Sequence, residues 1–171
     1  GIWSNGIAAL GHTRLSIIDL SVRGNQPLVK DNLVIIFNGE IYNFKELKHL
    51  YLNEINFETE SDTEVVLELW KKFGLESLEM LRGMFVFAIH DCTSFETFLV
   101  RDHFGIKPLF YSLNEYECIF SSELKALETS NYDLKSINTE ALAASMLYAW
   151  IPENFCINNN VKKLAPGEVM H

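Results

Sequence analysis

The order of hydrophobic periods along the chain is the feature that most constrains what it can fold into. Strand-like runs come first, at residues 13–19 and in the continuous apolar run of residues 33–37. Helical spacing follows over residues 43–81, and strand spacing returns over residues 84–121. Because strands and helices form separate runs instead of alternating, the sequence predicts antiparallel sheets with helices packed on them, an α+β fold.

Local signals place the elements within these runs. Residues 43–46 and residues 61–64 each have a capping residue three positions before a glutamate, so a helix is predicted to follow each pair. Gly74 is predicted to end the second helix. The remaining predicted elements are a short helix at residues 75–81, a hairpin of residues 84–90 and 95–101, a hairpin of residues 108–112 and 118–121, and helices at residues 123–128 and 139–148, the last capped by Thr139.

Composition and charge narrow the functional classes. The 171 residues fit one domain with a sizeable core. A formal charge of -9 repels phosphate backbones and anionic lipid, so neither nucleic acid nor a membrane is expected as a partner. Cys92, Cys118 and Cys156 are widely spaced and form no zinc or disulfide pattern, which favours reduced thiols in a cytoplasmic protein.

Polar residues follow the apolar run of residues 33–37. One interpretation of Asn38-Gly39 is a tight hairpin turn. The other is that the side-chain amide of Asn38 and the N–H of Gly39 converge on one oxygen, an arrangement that stabilises the oxyanion of an acyl transfer. A second charged segment, residues 101–107, is predicted to be a solvated turn with ion pairs.

Charged residues in apolar surroundings are further candidates. Arg14 requires an anionic partner, because an unpaired buried charge is costly. That partner is either a carboxylate of the chain, such as Asp19 or Asp102, or a substrate carboxylate held by two parallel hydrogen bonds. Asp62 either complements the start of its helix or, together with Glu40, receives the ammonium group of an amino acid.

Several segments occur in the order of a known family over nearly the whole chain. They are GHTRLSIID at residues 11–19, QP at 26–27, FNGEIYN at 37–43, SDTE at 61–64, LRGMF at 81–85, RDHFGIKPL at 101–109, SELKAL at 122–127 and VKKLAPG at 161–167. Together they resemble the class II glutamine amidotransferases, and most closely the glutaminase domain of glutamine-dependent asparagine synthetases.

This resemblance implies the four-layer αββα sandwich of N-terminal-nucleophile hydrolases. It also implies that an N-terminal cysteine attacks glutamine and forms a thioester. By matching motifs, Arg14 would bind the glutamine carboxylate, Asn38 and Gly39 would be the oxyanion donors, and Glu40 and Asp62 would surround the amine. No cofactor is expected in this domain; ATP and Mg²⁺ would act in a synthetase domain that amidates aspartate, and a homodimer is left open.

The sequence departs from this family at its start. Residue 1 is glycine, and no cysteine precedes Cys92. We therefore expect residues 1–171 to be a partial glutaminase domain without its first strands, its nucleophile segment and the synthetase domain. Such a domain would bind glutamine without hydrolysing it. Two alternatives stay open: a nucleophile-less module that binds glutamine or a protein partner, and an amidotransferase whose acceptor is not aspartate.

Overall fold

The chain forms two compact units. A computed structural model describes residues 1–128, 136–153 and 155–171, and the first unit contains residues 1–99 together with His171, whereas the second contains residues 100–170. The helices predicted after residues 43 and 61, both predicted hairpins and the helix at residues 139–148 are all present. Antiparallel sheets with separate helices confirm the predicted α+β class.

Antiparallel strands form the centre of the first unit. A short hairpin of β1 (Ile2–Ser4) and β2 (Ala9–Gly11) precedes the main sheet. In that sheet β3 (Leu28–Lys30), β4 (Leu33–Ile41), β5 (Gly83–Asp91) and β6 (Thr97–Arg101) are consecutive neighbours. The pairing of β4 with β5 runs without interruption from Leu33 opposite Asp91 to Ile41 opposite Gly83.

Helix α2 (Asp62–Phe73) packs its apolar side against this sheet, and α1 (Phe44–Tyr51) lies beside α2. The Trp70 ring meets the Phe87 ring of β5 edge-on, with centroids 6.3 Å apart. Ser61 accepts a hydrogen bond from Thr63 N–H and is the helix cap that the sequence predicted. Gly74 ends α2 at a φ of 56°, where glycine avoids a steric penalty.

Two details of the predicted capping boxes are wrong. The Asn43 side chain does not cap α1; it accepts from Arg82 N–H and donates to Met80 O, both at 3.0 Å. Glu64 does not reach back to its cap either. Its carboxylate is buried and binds Lys30 Nζ at 2.7 Å and Thr59 N–H at 2.7 Å, because a buried charge requires a counter-charge and donors.

The strand predicted at residues 13–19 is wrong. The backbone is irregular after Gly11, where β2 ends, and the isolated β1–β2 hairpin offers no ladder partner beyond three residues. Leu15 and Ile17 are 82% and 70% exposed, so the apolar pattern that suggested a strand belongs to a surface segment. Packing against neighbouring strands, and not intrinsic β propensity, decides whether such a short apolar run forms a strand.

The second unit has a three-stranded antiparallel sheet with β7 (Phe110–Leu113) between β8 (Cys118–Ser121) and β9 (Lys162–Lys163). A short helix α3 (Leu124–Leu127), the longer α4 (Thr139–Tyr148) and the two-residue strand β10 (Val169–Met170) also belong to this unit. Asn138 caps α4 by accepting from Glu140 and Ala141 N–H, so the prediction of Thr139 as cap is wrong by one residue.

The turn predicted to be solvated at residues 101–107 is instead buried at its base. Arg101 and Asp102 are 3% and 0% exposed. The Asp102 carboxylate accepts from the N–H groups of Phe104, Ile106 and Lys107 at 3.0 Å, and the Arg101 guanidinium donates to three carbonyl oxygens and to Glu153. Backbone groups satisfy the Asp102 charge, and backbone oxygens together with Glu153 satisfy that of Arg101, so both residues stabilise the second unit. None of the described helices has the length and hydropathy of a membrane span.

Candidate functional site

Asn38 and Gly39 lie inside β4, not in a turn. β4 continues for four residues beyond the predicted strand, with Asn38 opposite Val86 and Gly39 opposite Phe85 of β5. The hairpin-turn interpretation is therefore wrong. The side chains of Asn38 and Glu40 lie on the same face of the strand, because side chains alternate between the two faces. Both residues are half-buried.

One side of β4 is unpaired over its last residues, and we call residues 37–41 on that side the open edge of β4. β3 begins at Leu28, opposite Ile35, so its ladder with β4 does not extend to residues 37–41. Tyr42 N–H donates to Arg82 O at 2.7 Å, so even-numbered residues face β5. Odd-numbered residues of β4 consequently direct their N–H groups to the open edge.

Side chains occupy two of the three donors of the open edge. Phe37 N–H donates to Gln26 Oε1 at 2.6 Å, and Ile41 N–H donates to Asp62 Oδ2 at 3.0 Å. The N–H of Gly39 lies between these two, and the regular ladder with β5 does not use it. The open edge thus presents a backbone donor next to the Asn38 amide. These are the two groups that the sequence suggested as donors to one oxygen.

Gly39 is required by the close approach of β4 and β5. An added Cβ would lie 2.2 Å from Met84 O and 2.6 Å from Phe85 Cα, far inside any tolerated contact. Gly83 has the same environment across the pair, since its Cβ would lie 2.0 Å from Glu40 O. Two glycines therefore hold the backbone around Gly39 close to β5.

The Arg14 guanidinium is held by backbone oxygens. It donates to Asp19 O and, at 3.3 Å, to Ser21 O, and it lies on Gly24, where an added Cβ would be 2.7 Å from Nη2. The Asp19 carboxylate binds elsewhere, so Arg14 forms no ion pair with Asp19 and none with any other residue in the described part of the chain. Hydrogen bonds from the Glu60 and Ser21 N–H groups lower the pKa of the Asp19 carboxyl group, and the nearby Arg14 charge lowers it further without a direct contact between the two side chains.

Asp62 is the first residue of α2 and is buried. Burial raises the pKa of its carboxyl group, hydrogen bonds from backbone N–H groups oppose this, and the negative charge of nearby Glu40 raises it further. Two adjacent carboxyl groups therefore lie at this end of the open edge, and Glu40 has no ion pair with the residues that the structure describes. A cation such as an ammonium group would relieve their repulsion.

Contacts bring the predicted site residues to one region of the first unit. Asp19 accepts from Arg14 through its carbonyl oxygen and from Glu60 N–H through its carboxylate. Glu60 is two residues before Asp62, which in turn binds β4 at Ile41. The guanidinium, the donor pair and the two carboxylates are thus linked to the same edge of the sheet.

Two further residues of this region, His12 and Gln26, had no role assigned from the sequence, and Asp19 was considered only as an ion-pair partner of Arg14. Gln26 is 5% exposed and also donates to Thr63 Oγ1 at 3.3 Å. Burial lowers the pKa of His12; a hydrogen bond to the Phe37 backbone opposes this shift, and the positive charge of Arg14 adds to it. All three occur in the motifs at residues 11–19 and 26–27, which was the available signal.

No group of three His, Cys, Asp or Glu side chains among the described residues could hold a metal ion. Cys92 lies beyond the other end of β4 from the open edge, since its N–H donates to Asn32 O at 2.8 Å. Cys92 is in the β5–β6 turn, Cys118 is on β8, and Cys156 packs with Leu127 and Val161.

The model of the glutamine amidotransferase domain family matches residues 1–171, the whole chain. The chain belongs to this family. The amidotransferase domain is 39% identical over 170 residues to glutamine-hydrolyzing asparagine synthetase 1 of Bacillus subtilis (strain 168), a match covering 98% of this chain and 27% of that relative. It is 42% identical over 130 residues to asparagine synthetase B of Escherichia coli (strain K12), covering 74% of this chain and 23% of the relative.

Solved structures show the same relationship for the fold. The amidotransferase domain matches the glutamine phosphoribosylpyrophosphate amidotransferase of B. subtilis, complexed with ADP and GMP, with a TM-score of 0.60 and 30% identity, over 70% of this chain and 28% of that one. The fold is of the N-terminal-nucleophile amidotransferase type that the motifs implied. The chain spans 27% of the B. subtilis asparagine synthetase and 35% of a Methanocaldococcus jannaschii relative.

Proposed function

We propose that this amidotransferase domain binds L-glutamine at the open edge of β4. Arg14 receives the α-carboxylate, Asp62 and Glu40 receive the α-ammonium, and the Asn38 amide and Gly39 N–H point at the side-chain carbonyl. The proposal rests on one arrangement. Arg14, which has no carboxylate partner in the described part of the chain, and the acidic pair of Asp62 and Glu40 are both linked to an edge that has an unused backbone donor.

The donor pair gives the site its chemistry. Attack on the glutamine amide places negative charge on its oxygen, and two fixed donors stabilise that charge where it develops. Gly39 contributes a backbone N–H that needs no reorganisation, because the contact with β5 fixes the strand. The attacking group would be a cysteine thiolate, which this family uses.

No cysteine occurs among the first 91 residues, and Cys92 lies beyond the other end of β4 from the open edge. We therefore propose that residues 1–171 bind glutamine but do not hydrolyse it. Loss of a nucleophile costs several orders of magnitude in rate, which the remaining donors cannot offset.

In a longer protein the released ammonia would serve a synthetase domain. The asparagine synthetases among the relatives favour aspartate as the acceptor, with ATP and Mg²⁺ used in that domain. We expect ATP and Mg²⁺ to bind in that domain and not in residues 1–171, whose sequence contains no Gly-rich phosphate loop. A cytoplasmic location agrees with the unpaired cysteines.

Titration calorimetry tests the proposal directly. L-Glutamine should bind residues 1–171 with one-to-one stoichiometry, whereas glutaramate, which lacks the α-amine, and D-glutamine should bind at least about tenfold more weakly, because each misses a charged contact. Ammonia release from glutamine, followed by a coupled assay, should stay at the uncatalysed rate.

Failure of L-glutamine to bind a folded sample, or equal binding of D-glutamine, would contradict the proposed site. Ammonia release above the uncatalysed rate would contradict the assignment of an inactive domain. Folding is established independently, from a cooperative urea transition followed by circular dichroism.

A further inference from the structure

We infer that Asp19 is a positioning residue that sets the distance between Arg14 and Asp62. This inference rests on the proposed function, since it concerns the two groups that receive the ends of glutamine. Asp19 is 9% exposed, and its carboxylate accepts from Ser21 and Glu60 N–H, neither of which belongs to the open edge of β4. Its role follows from two simultaneous contacts: its main-chain oxygen binds Arg14, and its carboxylate binds the segment before Asp62.

The main chain of Asp19 holds the arginine. Arg14 Nη2 donates to Asp19 O, and Nη1 donates to Ser21 O at 3.3 Å. The turn that presents both oxygens is closed by Asp19 itself, whose Oδ1 accepts from Ser21 N–H at 2.7 Å. A guanidinium held by carbonyl oxygens is fixed in orientation.

The side chain of Asp19 holds the segment that leads into α2. Its Oδ2 accepts from Glu60 N–H at 2.9 Å, directly before the Ser61 cap and Asp62. From the other side, Glu64 anchors the same segment through Thr59 N–H at 2.7 Å. Two carboxylates therefore fix the backbone before Asp62, and only that of Asp19 links it to the arginine.

The ligand makes this link necessary. The α-carboxyl carbon and the α-nitrogen of an amino acid are only about 2.5 Å apart, as the bond lengths and the N–Cα–C angle require. Arg14 and Asp62 must therefore converge within a narrow tolerance, although one lies in an irregular segment and the other starts a helix. A direct contact between their surroundings sets that distance better than the 47 intervening residues of chain could.

Asp19→Asn tests the role with minimal change in size. Asparagine retains one oxygen for Ser21 N–H but presents an NH₂ group to Glu60 N–H, so the contact to α2 is lost. Asp19→Ser is a second variant that retains the short turn but cannot reach Glu60. The matched control is Asp91→Asn, because Asp91 Oδ1 closes a similar turn onto Thr93 N–H at 2.7 Å in the β5–β6 connection.

We expect both Asp19 variants to weaken L-glutamine binding to residues 1–171 by about tenfold or more, since a small displacement of a positioning group is costly. Asp91→Asn should bind as wild type does. Glutaramate contacts Arg14 but has no ammonium for Asp62, so its affinity should change by less than about twofold in the Asp19 variants. A residue that merely supported stability would not separate the two ligands.

Hydrogen exchange on the wild-type chain gives a second measurement that does not depend on a folded variant. Saturating L-glutamine should slow exchange of the Ser21 and Glu60 amides, because the ligand binds only the state in which both contacts are closed. The Thr93 amide serves as the internal control and should be unaffected.

The outcomes separate the inference from the proposed function. If wild type does not bind L-glutamine, the proposed function fails and the inference fails with it. If wild type binds and the Asp19 variants bind both ligands as wild type does, or the Ser21 and Glu60 amides exchange at unchanged rates, only the inference is overturned. Equal losses for glutamine and glutaramate would also overturn it.

Discussion

The close approach of β4 and β5 at Gly39 makes a sharp prediction for Gly39→Ala. The new methyl group would start 2.2 Å from Met84 O, about 1.2 Å short of the 3.4 Å at which ordinary van der Waals contact begins. The two nearest atoms, Met84 O and Phe85 Cα, belong to the backbone and not to a flexible side chain, so the two strands themselves must separate within their nine-residue ladder. Overpacking of this kind costs about 1–3 kcal/mol.

Part of that cost is offset in the unfolded chain, because alanine has less backbone freedom to lose than glycine, a gain of about 0.4–1 kcal/mol. The net loss should be about 1.3 kcal/mol. For a domain of this size that lowers Tm by roughly 3–5 °C. The same displacement moves the Gly39 N–H, so affinity for glutamine should fall as well.

Gly11→Ala is the matched control, since Gly11 also lies in a strand but the nearest atom to its added Cβ is 4.0 Å away. Urea unfolding followed by circular dichroism gives both free energies from the midpoint and slope. Gly11→Ala should be unchanged or slightly more stable. If Gly39→Ala unfolds within about 0.5 kcal/mol of Gly11→Ala, the steric reasoning about the β4–β5 contact is refuted.

Three further substitutions test other parts of the structure. Asp62→Asn should weaken glutamine binding at least about tenfold in calorimetry without lowering the urea midpoint at pH 7. Burial raises the pKa of Asp62, so wild type loses stability as pH rises through that pKa. The difference in free energy of unfolding between wild type and Asp62→Asn should therefore vanish in acid. A variant clearly less stable than wild type at pH 7 would contradict this. Arg14→Lys should raise the Kd for glutamine about tenfold, because an ammonium cannot form two parallel hydrogen bonds, while exposed Arg23→Lys should leave it unchanged. Asp102→Ala leaves three N–H groups without their acceptor and should lower the free energy of unfolding by about 2–4 kcal/mol. Exposed Glu115→Ala is the control and should show no measurable loss. Equal stability of the two variants would show that the hydrogen bonds to Asp102 are dispensable.

Local chemistry predicted well those elements whose signals are short-range. The cap at Ser61, the stop at Gly74 and the polar turn after Asp91 all depend on neighbours within four residues, and all three are present. The strand at residues 13–19 failed because its pattern was apolar but no partner strand was available. No short-range pattern in the sequence specifies the strand with which a segment will pair.

Long-range contacts reversed the interpretation of several charged residues. Arg101 and Asp102 looked like a solvated turn, yet both are buried, because backbone groups up to 63 residues away accept or donate the required hydrogen bonds. Glu64 looked like half of a capping box but is the partner of Lys30, 34 residues earlier. Such partners become visible only when the chain is folded.

For the candidate site, the sequence by itself determined which chemical groups are available: a guanidinium, an amide next to a glycine, and two carboxylates, in an order typical of the amidotransferase family. Only the tertiary structure decided that Asn38 and Gly39 lie in a strand with an open edge, and that Asp19 and Gln26 connect that edge to its surroundings. The physical reason is that residue identity sets the chemistry of a group, whereas hydrogen bonds between distant segments set its position.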